Sequence, residues 1–278
     1  MIIIGAAINT SEHEEIGEII EDRDKKRLLS IAEHQLNLGA EMIDINAGQR
    51  IKTEVEDITW MMETIQAEYE VPISIDTPNQ EVFKKCLKLH NNEHGRPLVN
   101  SVSGEESRLD NILPLAKKYN AKVVGLLMGE KGIANKPSER LKVADKILKR
   151  TRSLGIKDED VFLDPLVLPV SVDTNNPIIT IKTLRLIKDQ YPEVNTICGL
   201  DNISYGLPER PLISSTFIAM MASAGLDSLL VELSNVTYSA IKTVEMLKGK
   251  DDMCMDYIKQ YKADKLDIYK PEKMEALK

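Results

Sequence analysis

Along the chain, short runs of aliphatic residues alternate with longer stretches in which apolar positions recur every three or four residues. The runs are Ile2 to Ile8, Met42 to Ile45, Ile73 to Ile75, Leu98 to Val99, Lys122 to Met128, Val161 to Leu163, Thr196 to Leu200 and Ser228 to Glu232. Each is brief, rich in β-branched residues and bounded by polar or glycine positions, the pattern of a parallel strand covered on both faces. Between them lie Lys26 to Leu38, Val55 to Tyr69, Glu81 to Leu89, Leu109 to Tyr119, Ser138 to Leu154, Pro177 to Gln190, Pro211 to Ala224 and Val236 to Leu247, whose period predicts amphipathic helices. Pro137-Ser138 supplies one helix start and Leu38-Gly39-Ala40 one stop.

Eight such βα units in about 250 residues predict a single (β/α)8 TIM barrel. It is expected over residues 1–250, with residues 251–278, rich in Lys, Asp and Met, as a C-terminal helical tail on or beyond the barrel. A doubly wound open sheet is the alternative architecture. That fold normally shows a glycine-rich turn after its first strand, and Gly5-Ala6-Ala7-Ile8-Asn9 is not one.

Composition narrows the chemistry. The 278 residues are 42% hydrophobic but only 4% aromatic, so the core must be aliphatic. A net charge of −8 argues against a nucleic-acid surface, which needs clustered cations. Paired lysines such as Lys25-Lys26, Lys84-Lys85 and Lys117-Lys118 read as solvated helix faces. Cys86, Cys198 and Cys254 are odd in number and far apart, which excludes a disulfide framework and suits a reducing, cytoplasmic setting. No apolar run approaches the ~20 residues of a membrane span, and the first residues read as a strand rather than a signal peptide.

In a TIM barrel the chemistry lies where strands run into the following loops. Those positions are Asn9; Asp44 and Asn46; Asp76; Asn100 and Ser101; Met128; Asp164; Asp201 and Asn202; and Glu232. None is a Lys for a Schiff base or a His for zinc, and no metal site is expected. Each Asp or Asn alone could be a turn former or a helix cap. As a set, fixed carboxylates and amides around one mouth suit a flat heterocycle with several N–H donors, because an ionised carboxylate accepts two hydrogen bonds side by side. His90-Asn91-Asn92-Glu93-His94 matches an inverted zinc-protease pattern, but Gly95-Arg96-Pro97 follows at once, so a solvated helix terminus is expected. Gly125 to Gly132 is expected to be a flexible loop, and Met220-Met221 to be core.

Five motifs then stand in register at the strand ends: Asp44-Ile45-Asn46-Ala47-Gly48, Ile75-Asp76-Thr77, Val99-Asn100-Ser101, Leu163-Asp164-Pro165, and Gly199 to Ser204 followed by Arg210-Pro211. From Ile4 to about Met255 the chain resembles the pterin-binding methyltransferases, above all the methyltetrahydrofolate:corrinoid protein methyltransferases, relatives of the folate domain of cobalamin-dependent methionine synthase. The resemblance implies that Asp76, Asn100 and Asp164 hold the pterin ring, with Asp44 and Arg210 also binding the folate. It implies that Asn202 reaches N5, the methyl-bearing atom, and is the catalytic residue. Asn9, Ser101, Asp201 and Tyr205 are expected just behind these contacts.

The implied substrates are tetrahydrofolate or 5-methyltetrahydrofolate and a cobalamin-type corrinoid carried by a partner protein; the implied assembly is a homodimer. Departures are Ala6-Ala7 where relatives begin Gly-Glu-Arg-Ile-Asn, Asp201 where they have a small residue, and Tyr205 where many have Gln. These separate the chain from acetogenic enzymes and point to the catabolic direction, from methyl-corrinoid to tetrahydrofolate. The alternatives are the acetogenic direction with a corrinoid iron–sulfur protein, a dihydropteroate-synthase-like enzyme, a magnesium lyase using Asp76, Asp164 and Glu232, and a non-catalytic pterin-binding subunit. Dihydropteroate synthases need a late basic segment and a Lys that the chain lacks.

Overall fold

The computed structural model describes residues 1–266. Eight parallel strands close into one barrel: β1 (Ile2–Asn9), β2 (Met42–Asn46), β3 (Ile73–Asp76), β4 (Leu98–Ser103), β5 (Lys122–Leu126), β6 (Val161–Asp164), β7 (Asn195–Gly199) and β8 (Ser228–Val231). Each strand pairs with its sequence neighbours, and β8 closes the ring on β1 through Ile2–Ser228 to Gly5–Val231. The helices are α1 (Glu14–Glu21), α2 (Lys25–Asn37), α3 (Glu54–Glu68), α4 (Gln80–Leu89), α5 (Glu106–Lys118), α6 (Pro137–Ser153), α7 (Asn176–Gln190), α8 (Arg210–Ser223), α9 (Asn235–Leu247) and α10 (Met255–Lys262). The TIM-barrel architecture expected from the sequence is thus the architecture present.

Strand alternation sorts the side chains into two cores. Outward residues such as Ile43, Ile45, Ile73, Ile75, Val99 and Leu163 pack under the helices in one large apolar cluster. Inward residues Ile4, Met42, Leu98, Val124, Phe162 and Ile197 form a second, smaller cluster inside the barrel. Two positions further along their strands, the inward residues turn polar: Asp44 after Met42, Asn100 after Leu98, Asp164 after Phe162. The same period puts Ser74 and Asp76 of β3 inside. The barrel is therefore oily through its lower half and acidic at its carboxyl end.

Helix starts follow local chemistry. Asp24 accepts from Arg27 N (3.1 Å), Asn79 from Glu81 N (3.0 Å) and Ser234 from Thr237 N (3.2 Å), each satisfying a donor that the first turn leaves open. Gly39, at φ +86°, ends α2 in a conformation that other residues resist.

Several local expectations are corrected. His90 is not solvated but buried: its Nε2 lies 3.2 Å from Ile73 N, which donates to it, and 3.1 Å from Gln66 Nε2. The residue leaves the helix period only to satisfy a strand donor, so a lone-helix reading could not see its partners. Gly125 to Gly132 is no loose loop, because Met128 and Ile133 pair as a short antiparallel hairpin beyond β5. Of Met220 and Met221, adjacent on α8 and so on different faces, only Met221 is core; Met220 is exposed. Helix α1 lay outside the predicted set. The helical tail expected over 251–278 falls partly on α10, and from residue 267 on it lies outside the described residues. Among the described residues no helix is long and apolar enough to cross a membrane.

Candidate active site at the carboxyl end of the barrel

Two groups of predicted residues are brought together here. The first forms a floor inside the barrel. Asp44, 1% exposed, accepts from Ser74 Oγ (2.5 Å) and from Asn100 Nδ2 (3.1 Å) through the same oxygen. Asp76 accepts from Asn46 Nδ2 at 2.9 Å, and Asn46 Oδ1 in turn receives Gly48 N at 2.8 Å, which shapes the loop after β2. Asp44 is closed off behind its two donors, whereas Asp76 is only half-buried.

Crowding acids into a dry barrel raises their proton affinity. Burial pushes Asp76 up to about 6, opposed by its bond from Asn46 and reinforced by the negative charges of Glu12 and Glu54. Asp44 is raised further, first by burial and then by the neighbouring Asp76. Asp44 also holds Asn100 in place through the bond it accepts from Nδ2. Asp164, at the end of β6, is pushed up to about 7 by burial, against the bond from Leu166 N (2.7 Å) and the charge of Arg140.

The second group lines a cavity of about 670 Å³, bounded by Asp201, Asn202, Tyr205 and Arg210 from the segment after β7, and Asp44, Asp76, Asn100 and Asp164 are not among its lining residues. Burial raises Asp201, whose carboxylate accepts from Glu232 N at 3.3 Å. Arg210 is held to this loop through Ser204 Oγ (3.3 Å) and the Asp201 carbonyl (3.2 Å). Asn202 folds its amide over Gly199; a Cβ at that glycine would stand 3.2 Å from Asn202 Nδ2. Tyr205 is 65% exposed at the rim. Asn9 and Ser101 join neither group: Asn9 Oδ1 accepts from Ser11 N (2.8 Å) in the turn after β1, and the Ser101 carbonyl accepts from Arg108 Nη2 (2.5 Å).

Glu12, His13 and Glu232 also line the cavity, and strand-end reasoning passed over the first two. They lie beyond the end of β1, where the turn into α1 delivers them to the mouth. The hidden signal was Ile16, Ile19 and Ile20, a buried helical stripe in a stretch dominated by glutamates. His13 Nε2 lies 3.1 Å from Glu232 Oε2, so a histidine does stand at this mouth. Glu54, buried at the start of α3, was missed as well. It receives Thr77 Oγ1 (2.5 Å) and Asn79 Nδ2 (3.0 Å) and thereby pins the loop that follows Asp76. Among the described residues no three His, Cys, Asp or Glu side chains are grouped so that they could hold a metal ion.

Residues 5–232 match the family model described as pterin binding enzyme. The chain belongs to the pterin-binding enzymes. Its relatives in this family include the methylcorrinoid:tetrahydrofolate methyltransferase of Eubacterium limosum, 29% identical over 269 residues, covering 96% of this chain and 98% of that protein. The methionine synthase of Mycobacterium tuberculosis is 27% identical over 250 residues, and there the match spans 85% of this chain but only 21% of the larger protein. Among solved structures, the dihydropteroate synthase of Yersinia pestis superposes with a TM-score of 0.65 at 19% identity, over 89% of this chain and 93% of that one, which supports the shared barrel. The matched segment of this pterin-binding enzyme runs from β1 to Glu232 and so contains the acidic floor and most of the cavity wall.

Proposed function

We propose that this enzyme transfers a methyl group from a corrinoid, carried as substrate by a partner protein, to N5 of tetrahydrofolate. The observation that carries the reading is the similarity to a methylcorrinoid:tetrahydrofolate methyltransferase over nearly the full length of both chains. The chemistry of the floor supports it. Asp76 and Asp164 are carboxylates suited to the amidine-like N–H edge of a pterin, and Asn100, oriented by Asp44, offers its amide oxygen as a further acceptor. Burial that makes these acids reluctant to ionise in the free protein also makes a donor edge valuable to them. Arg210 is assigned to the folate because it is the cation of the cavity wall.

In this direction N5 is a nucleophile that must shed a proton as its bond to the methyl carbon forms. The carbon–cobalt bond breaks with its electron pair left on cobalt. We assign Asn202 to hold N5 by its amide, and Asp201 to take the proton, as a carboxyl that burial has made more basic. Groups preset where charge changes lower the barrier because they need no rearrangement. A homodimer belongs to the same reading, supported by the charge-free exposed positions Leu212, Thr216, Ala219 and Met220 on α8.

The test is an anaerobic spectrum of protein, tetrahydrofolate and methylcobalamin. Conversion of the methylcobalamin band to that of Co(I), with 5-methyltetrahydrofolate formed in equal amount, is expected. An unchanged spectrum at enzyme concentrations that bind folate would overturn the reading and favour a non-catalytic pterin-binding role.

A further inference from the structure

Arg140 stands apart from the other cations of the chain. It sits in the first turn of α6, outside the cavity, yet is only 1% exposed. An arginine so buried normally meets a carboxylate; this one donates to carbonyls. Nε binds the Ala134 carbonyl (2.8 Å), and Nη1 binds those of Pro165 (2.5 Å) and Leu166 (2.9 Å). Pro165 and Leu166 directly follow Asp164. Leu166 adopts φ +65°, in the left-handed region that a branched side chain disfavours. That turn aims Leu166 N at Asp164 Oδ1, 2.7 Å away. Thr180 of α7 adds a hydrogen bond to the same Leu166 carbonyl at 3.0 Å.

We propose that Arg140 is a positioning residue for Asp164: its guanidinium holds the Asp164–Leu166 turn in the strained form that orients the carboxylate, and its charge favours the ionised state that a pterin needs. The proposal rests on the assignment of Asp164 to the pterin. The surroundings leave Arg140 with this task. β5 brings Leu126 opposite Asp164, and β7 brings Cys198, whose thiol burial keeps neutral. Arg140 is the cation acting on Asp164 among the described residues. One side chain thus couples the hairpin beyond β5, through Ala134, to the orientation of an acid on β6.

The test compares tetrahydrofolate affinity between pH 5.5 and 9 for the wild type, Arg140→Gln, Arg140→Lys and Thr180→Val. In the wild type affinity should rise with pH through the ionisation of Asp76 near 6 and of Asp164 near 7, and the upper inflection, where affinity levels off, reports Asp164. Arg140→Gln should move that inflection upward by about one pH unit and weaken binding at pH 7 by roughly tenfold, the consequence of losing a nearby positive charge. Arg140→Lys keeps the charge without the fork; its inflection should stay near the wild-type value while affinity falls across the range. Thr180→Val should weaken binding slightly with no movement of the inflection.

A role limited to packing would lower thermal stability and leave every inflection in place, and that outcome overturns the proposal. If Arg140→Gln does not fold, Arg140→Lys decides through a double-mutant cycle with Asp164→Asn: an affinity loss that disappears in the Asp164→Asn background supports the proposal, and wild-type affinity in Arg140→Lys, or a loss of equal size in both backgrounds, overturns it. If the wild-type protein binds no tetrahydrofolate, the pterin assignment itself fails, a result distinct from either.

Discussion

Replacing Asp164 by Asn removes a charge while keeping the shape and one acceptor for Leu166 N. In the folded protein Asp164 is pushed from the ordinary 3.8 to about 7, with burial as the main cause. A group whose proton affinity is higher folded than unfolded stabilises the fold at low pH. That contribution is complete below about 4 and is lost as pH rises through about 7. At ~1.4 kcal/mol per pH unit the full effect would be about 4 kcal/mol, and partial solvent access at this half-buried site lowers it to roughly 2–3 kcal/mol. Without folate, Asp164→Asn should therefore be as stable as the wild type near pH 4, yet more stable by roughly 2–3 kcal/mol at pH 8. Binding should run the other way. A donor edge that loses a charged acceptor costs ~1.5–3 kcal/mol, or about ten- to a hundredfold in affinity. Urea titrations of both proteins at pH 4, 6 and 8, with calorimetric folate binding at pH 8, measure the two effects. Equal pH dependence in the two proteins, or undiminished folate affinity in the variant, would refute the reasoning.

Asn202→Ala should lower kcat by ~10²–10³ in single-turnover transfer from methylcobalamin while the folate dissociation constant moves little; loss of binding instead would move Asn202 from catalysis to affinity. Asp76→Ala should show the opposite balance, with affinity reduced by about ten- to a hundredfold and turnover at saturating folate less affected, as separate binding and rate measurements would reveal. Gly199→Ala should act like a mild Asn202 variant, since the new methyl group presses on the amide; an unaltered kcat would show that this rotamer does not matter. Glu54→Ala should destabilise the fold by ~1–3 kcal/mol by leaving Thr77 and Asn79 without their acceptor, read as a lower urea midpoint.

The strands were legible because parallel strands covered on both faces leave unbroken aliphatic runs, and the acids were legible because they interrupt those runs at regular places. Asp44, two positions beyond Met42, and Asp164, two beyond Phe162, had to share a side with an inward neighbour. What could not be read was anything decided across the fold. His90 looked like a helix terminus until Ile73 N and Gln66 came to meet it. Arg140 sat among the exposed Glu139, Lys142 and Lys149 of α6, and its burial depends on carbonyls more than twenty positions later in the chain. Asp44 carried the same signal as Asp76 in one dimension, yet Ser74 and Asn100 cover it and leave Asp76 accessible.

The seam between β1 and β8 has a consequence for the order in which the protein folds. Much of the acidic floor lies on β2, β3 and β4, neighbours in sequence whose pairing closes only short loops. The cavity draws on distant parts of the chain: Ser11, Glu12 and His13 from one side, Asp201 to Thr237 from the other. These walls meet only when Ile2 finds Ser228, a long-range closure that is entropically slow. A folding chain would thus own its acids before it owned a pocket, and an intermediate with an open seam would hold a ring of carboxyls still exposed to water, with ordinary proton affinities. The raised basicity of the floor comes from burial inside the closed ring.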